Sequence, residues 1–126
     1  QMMTGWKNQF GIKDLSEPIS EQHLKELISR RKTLDEMIEF CKERSLNPII
    51  IYPPMFHTLS TLFPPQFRVN YIQNFLNGIE AQVLDYMNSK EFDKEDYFST
   101  ALFLNQQGSK LFTKRVLTDL GIIEKD

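Results

Sequence analysis

The stretch that decides the fold is 47–54, which reads Asn47-Pro48-Ile49-Ile50-Ile51-Tyr52-Pro53-Pro54. Its consecutive β-branched residues, stopped by two prolines, are typical of a parallel strand that is apolar on both faces and buried. Such a strand needs cover on both faces, and the helical segments before and after it can supply that cover. Because ligands bind beyond the carboxyl ends of the strands in sheets of this kind, a functional site is expected in the loop from Pro53 onward.

Helical periodicity precedes and follows this strand. Ser20 is a candidate N-cap for a long amphipathic helix that extends to Arg44. A second helix is predicted from about Pro65 to Asn77, with Gly78 as a left-handed cap. The apolar positions of the first helix are Leu24, Leu27, Ile28, Leu34, Met37, Ile38 and Cys41.

A shorter strand and a last helix complete the order. Residues 82–86 have the composition of a strand. Asn105 can cap a helix that extends to Leu120 and ends at Gly121. The order helix, strand, helix, strand, helix indicates an α/β fold with parallel strands. Because about three strands are usually needed for a stable sheet, a further strand is expected in the N-terminal arm, residues 1–18, or in another chain.

Length and composition indicate one globular domain. The chain has 126 residues, of which 40% are hydrophobic and 25% are charged, and its net charge is −2. Basic and acidic residues are interleaved, even around the densest basic cluster at residues 30–32, so nucleic-acid binding is not expected. No apolar run reaches the roughly 18 residues that suggest a membrane-spanning helix.

One cysteine, Cys41, excludes an internal disulfide and leaves no metal-ligand spacing. Neither a metal nor a cofactor is therefore predicted, and the redox compartment stays open. The chain begins with Gln1 rather than Met, which leaves open that a signal peptide was removed.

The segment 102–112 carries a resemblance to a known family. It reads Leu102-Phe103-Leu104-Asn105-Gln106-Gln107-Gly108-Ser109-Lys110-Leu111-Phe112 and matches the pattern D-x-x-H-L-N-x-x-G-A at Leu104, Asn105 and Gly108. With the Ile-rich strand that ends in Pro-Pro, it resembles the C-terminal half of an SGNH (GDSL-type) hydrolase, a family of esterases and acyl-transfer enzymes. The resemblance covers roughly residues 20–121. It implies a three-layer, flavodoxin-like parallel sheet, incomplete here, in a single domain or in the C-terminal part of a larger one.

The chain departs from this family at the catalytic positions. The family has its histidine immediately before Leu-Asn and its aspartate three residues earlier, where this sequence has Phe103 and Thr100. A phenyl ring cannot accept a proton, and a threonine hydroxyl cannot stabilise an imidazolium as a carboxylate does. The family's Gly-Asp-Ser and Gly-x-Asn-Asp blocks are missing from the sequence and would lie upstream of Gln1. Asn105 and Gly108 are then expected to be structural, as a helix cap and as a site of close packing.

Few other residues could serve catalysis. His23 lies in a polar helix start, and a surface role is expected for it. His57 lies in the loop beyond the strand, near Ser60, but no Gly-x-Ser-x-Gly elbow presents that serine, so His57 is only a weak candidate base. Asp85 and Asp96 are expected to cap loops. The residues that could line an acyl pocket, or simply pack, are Met55, Phe56, Phe63 and Phe67.

Three functions stay open on the sequence. The first is a non-catalytic SGNH-hydrolase-like domain or fragment. The second is the C-terminal part of an active esterase or acyltransferase whose nucleophile lies upstream, with His57 or another residue as base. The third is an interaction module, because an incomplete parallel sheet leaves an edge that can pair. For this third function we predict a homo-oligomer that covers strand edges or the apolar loop at residues 55–63.

Overall fold

A computed structural model describes residues 21–60, 65 and 69–125. These residues form a mixed α/β structure with two parallel strands and four helices. The predictions for the N-terminal arm (residues 1–18), the Ser20 cap, Phe63 and Phe67 lie outside the described residues. The described residues fall into two compact units. One unit, here called the strand unit, contains residues 21–52, 65 and 69–84, and the other, the loop unit, contains residues 53–60 and 85–125.

The elements follow the predicted order. In chain order they are α1 (Glu21–Glu43), β1 (Ile49–Tyr52), α2 (His57–Ser60), a π-helical turn (Val69–Gln73), α3 (Asn74–Leu76), β2 (Gln82–Asp85), a 3₁₀ turn (Glu95–Tyr97) and α4 (Gln106–Asp119). The long first helix, both strands and the last helix are confirmed. Gly78 and Gly121 have φ angles of 71° and 72°, the left-handed conformation expected of residues that follow a helix.

The connection between the strands differs from the prediction in two places. The segment after Pro54 is not entirely loop, because α2 forms one helical turn within it. The prediction of one regular helix up to Asn77 is wrong, since residues 69–76 are a π-helical turn followed by the short α3. Apolar spacing does not separate these two helix types, because both bring residues three to five apart onto one side.

In the strand unit, Arg31 of α1 binds the carboxyl end of α3. Its Nη1 donates hydrogen bonds to the carbonyl oxygens of Phe75 (2.6 Å) and Asn77 (2.7 Å). Helix carbonyls at this end have no partner within the helix, so the guanidinium serves as a cap. Asp35, one turn along α1, accepts from Arg31 Nε at 2.8 Å and orients the guanidinium. These contacts fix α3 against α1.

The strand β1 is less buried than its sequence predicts. None of its residues is fully buried, and Ile51 is 39% exposed. The prediction of a strand buried on both faces is therefore wrong for the described residues. The physical reason is that helices, not neighbouring strands, cover the faces of a parallel sheet, and the described helices leave the Ile51 side chain exposed.

The loop unit has an apolar core around α4. The Phe112 ring of α4 packs edge-on against Tyr86 (centroid distance 5.2 Å) and against Phe92 (5.5 Å). Edge-to-face geometry places the positive rim of one ring on the negative face of the other. The buried apolar residues of this unit are Pro54, Leu59, Tyr86, Met87, Phe92, Ala101 and Val116.

A hydrogen-bonded network ties Tyr86 to the end of α4. The Tyr86 hydroxyl donates to Asp119 Oδ2 at 2.6 Å, and Arg115 Nε donates to the same oxygen at 3.0 Å. Arg115 Nη1 also donates to Glu91 Oε2 at 3.0 Å. Burial, and then the hydrogen bond to Asp119, raise the pKa of Tyr86 to about 12. The hydrogen bond from Tyr86 lowers the pKa of Asp119, and the hydrogen bond to Asp119 raises the pKa of Arg115.

Within residues 21–60, 65 and 69–125, no helix combines the length and the apolar character that crossing a membrane requires.

Candidate functional site

Residues 98–104 form a tight loop in the loop unit. Phe98 and Leu104 form an isolated antiparallel bridge. Between them, the Ser99 amide donates to the Phe103 carbonyl (2.9 Å) and the Phe103 amide donates to the Thr100 carbonyl (3.2 Å). The two ends of the loop are thus joined through the backbone, and residues 99–103 form its tip.

Thr100 uses its hydroxyl within this loop. Its Oγ1 accepts hydrogen bonds from the amides of Leu102 (3.3 Å) and Phe103 (3.2 Å). A threonine oxygen that binds amides two and three residues ahead stabilises a local turn. The Thr100 hydroxyl therefore supports the backbone of the loop.

The Phe103 side chain faces water. It is 65% exposed, the joint highest value among the large apolar residues described. The Ser99 hydroxyl, on the opposite side of the loop, donates a hydrogen bond to the Phe103 carbonyl at 3.2 Å. The loop thus holds a phenyl ring in solvent.

Asn105 caps α4, as the sequence predicts. Its Oδ1 accepts from the Gly108 amide at 2.9 Å, and its extended backbone is that of an N-cap residue. Its Nδ2 donates to the Asp96 carbonyl at 2.6 Å, and its own amide donates to the Tyr97 carbonyl at 2.8 Å. One side chain therefore begins the helix and ties it to the 3₁₀ turn.

Gly108 lies where a side chain has no room. A β-carbon at this position would overlap the Tyr97 carbonyl oxygen, and it would lie 2.9 Å from Tyr97 Cβ and 3.0 Å from Leu104 Cδ2. The first turn of α4 consequently packs directly on the 3₁₀ turn. The close packing expected of this glycine is observed.

A carboxylate–imidazole pair lies elsewhere in the loop unit. His57 Nδ1 is 3.0 Å from Asp93 Oδ1, and the same oxygen accepts from the His57 amide at 2.9 Å. When Nδ1 carries a proton and donates it to this carboxylate, Nε2 is the basic nitrogen of the ring. The Phe56 ring lies 4.4 Å from the imidazole, centroid to centroid. The His57 side chain is 55% exposed, so water also reaches the pair.

Backbone hydrogen bonds and buried anchors bring this pair together. The Met55 amide donates to the Met87 carbonyl (3.1 Å), and the Phe56 amide donates to the Ala101 carbonyl (3.2 Å). Leu59 and Phe92 are each 1% exposed and lie close in sequence to His57 and Asp93, respectively. Both members of the pair therefore adjoin residues that the core holds in place.

The remaining candidates have structural surroundings. Asp85 Oδ1 accepts from the Met87 amide at 3.0 Å, which confirms the expected loop cap. Asp96 contributes a backbone carbonyl to Asn105. Cys41 is half-buried on α1. The side chains of His23 and Ser60 lie outside the described part of the chain. Across the described residues, no three His, Cys, Asp or Glu side chains group as metal ligands would.

Asp93 is the one member of the candidate site that sequence reasoning missed. It lies 36 residues from His57 in an acidic stretch, and no local pattern distinguishes it from the acids around it.

Comparison with family models, with curated proteins and with solved structures gives no match for this chain. Function is therefore inferred from the residues themselves.

Proposed function

We propose that this chain is a non-catalytic SGNH-hydrolase-like α/β domain. The observation that carries this proposal is the loop 98–104, where Thr100 and Phe103 take the positions of the family's aspartate and histidine. The Thr100 hydroxyl binds two backbone amides, and the Phe103 ring has no lone pair to accept a proton. Asn105 and Gly108 keep the family's residue types, and their contacts account for both of them without catalysis.

A three-layer, flavodoxin-like architecture is part of the same proposal. The parallel pairing of β1 and β2 supports it, as do the helices that precede β1 and connect the two strands. Parallel strands need a crossover connection, and helical crossovers cover the faces of such sheets. On this proposal the remaining strands come from residues outside the described part or from another chain.

The proposal is tested by ester hydrolysis with short acyl substrates. We expect the full product of the gene, with any residues encoded upstream of Gln1, to hydrolyse these esters no faster than buffer does. Turnover that disappears in a His57→Ala variant would contradict the proposal.

A second candidate function is an active hydrolase or acyltransferase in which His57 is the base. The His57–Asp93 contact favours it, because a carboxylate at Nδ1 fixes the tautomer and stabilises the imidazolium that forms on proton transfer. In that reaction Nε2 would accept the proton of a hydroxyl nucleophile and return it to the leaving group. The nucleophile would come from residues upstream of Gln1.

A structural role accounts for the same contact more simply. Asp93 Oδ1 also accepts the amide of His57, the first residue of α2, and so gives a partner to an amide that has none within the helical turn. The sequence upstream of Gln1 separates the two functions, because the second one requires a Gly-Asp-Ser-like block there. If the gene encodes no such block, the second function fails and the first one stands.

We also propose that the domain self-associates. The two-stranded described sheet favours a contact at a strand edge. The loop at residues 55–63 is less favoured, because Leu59 is buried within its own unit and Met55 and Phe56 are half-buried. The strand edge is therefore our first choice for the interface of a homo-oligomer.

A further inference from the structure

We draw no further inference here: the strongest candidate outside the site described above, the exposed apolar face of α1 around Met37 and Phe40, carries none because nothing among the described residues shows what covers it.

Discussion

Position 108 requires a glycine, because a β-carbon there would overlap the carbonyl oxygen of Tyr97. We expect Gly108→Ala to lower the free energy of unfolding by about 1–3 kcal/mol, since a backbone oxygen can move away only if the 3₁₀ turn shifts. Urea unfolding, followed by circular dichroism, measures the change.

Ser109→Ala is the matched control for this substitution. It places alanine in the same helical turn, at an exposed position that already has a β-carbon, and should change stability by no more than about 0.5 kcal/mol. If Gly108→Ala were as stable as Ser109→Ala, the close contact of α4 with the 3₁₀ turn would not exist.

We expect the free energy of unfolding to fall at alkaline pH, because Tyr86 then loses its proton. Its pKa is about 12 in the folded chain and about 10 when unfolded, so the folded state keeps the proton over this interval. The resulting stabilisation is complete below about pH 10 and is lost as the pH rises towards about 12. We expect Tyr86→Phe to remove up to about 2 kcal/mol at neutral pH and to remove this alkaline dependence.

Urea unfolding between about pH 9 and about pH 12 tests this expectation. The control is Tyr97→Phe, which removes a tyrosine hydroxyl from the same unit and leaves the Tyr86–Asp119 hydrogen bond in place. Equal alkaline dependence in wild type and in Tyr86→Phe would show that another group is responsible.

The start of α4 depends on both ends of the Asn105 side chain. We expect Asn105→Ala to cost about 1–2 kcal/mol, because the Gly108 amide and the Asp96 carbonyl both lose their partner. Asn105→Ser keeps an acceptor for the Gly108 amide and loses the donor to Asp96, so its cost should lie between wild type and Asn105→Ala.

Urea unfolding of the two Asn105 variants, measured beside wild type, gives the order of stability. An Asn105→Ala chain as stable as wild type would contradict the capping role. An Asn105→Ser chain as unstable as Asn105→Ala would instead assign most of the stabilisation to the Asp96 contact.

Elements defined by local chemistry could be predicted from the sequence. Amphipathic spacing gives α1, the apolar run before two prolines gives β1, and an asparagine before helical spacing gives the start of α4. The π-helical turn could not be predicted, because the apolar positions of a π-helix and an α-helix look alike over so few residues.

Contacts between distant segments could not be predicted. Three hydrogen-bonded pairs are far apart in the sequence. His57 and Asp93 are separated by 36 residues, and Tyr86 and Asp119 by 33. Arg31 and Phe75, whose carbonyl accepts from the guanidinium, are separated by 44. Each contact forms only when core packing places the two backbone segments side by side. Composition and residue spacing do not show which segments will pack together. The capping role of Asn105 could be predicted, since it follows from a helix start that is local in sequence, whereas the close packing of Gly108 could be expected only from the family resemblance.

The self-association that we propose concerns the assembled protein. An unpaired strand edge can add a strand from a second copy, so we expect a stable homodimer or larger assembly. Multi-angle light scattering across a range of protein concentrations measures the mass directly. A soluble monomer at the highest concentration would contradict the prediction. An Ile51→Lys variant that remains an oligomer would show that the interface does not involve β1.

We propose that the domain does not catalyse ester hydrolysis. The most direct test compares the initial rates of short acyl ester hydrolysis by the full gene product and by its His57→Ala and Asp93→Asn variants. The variants serve as matched controls, because they remove the proposed base and its carboxylate partner in turn. We predict that all three proteins give the buffer rate. A wild-type rate clearly above buffer that is lost in His57→Ala and reduced in Asp93→Asn would contradict the claim.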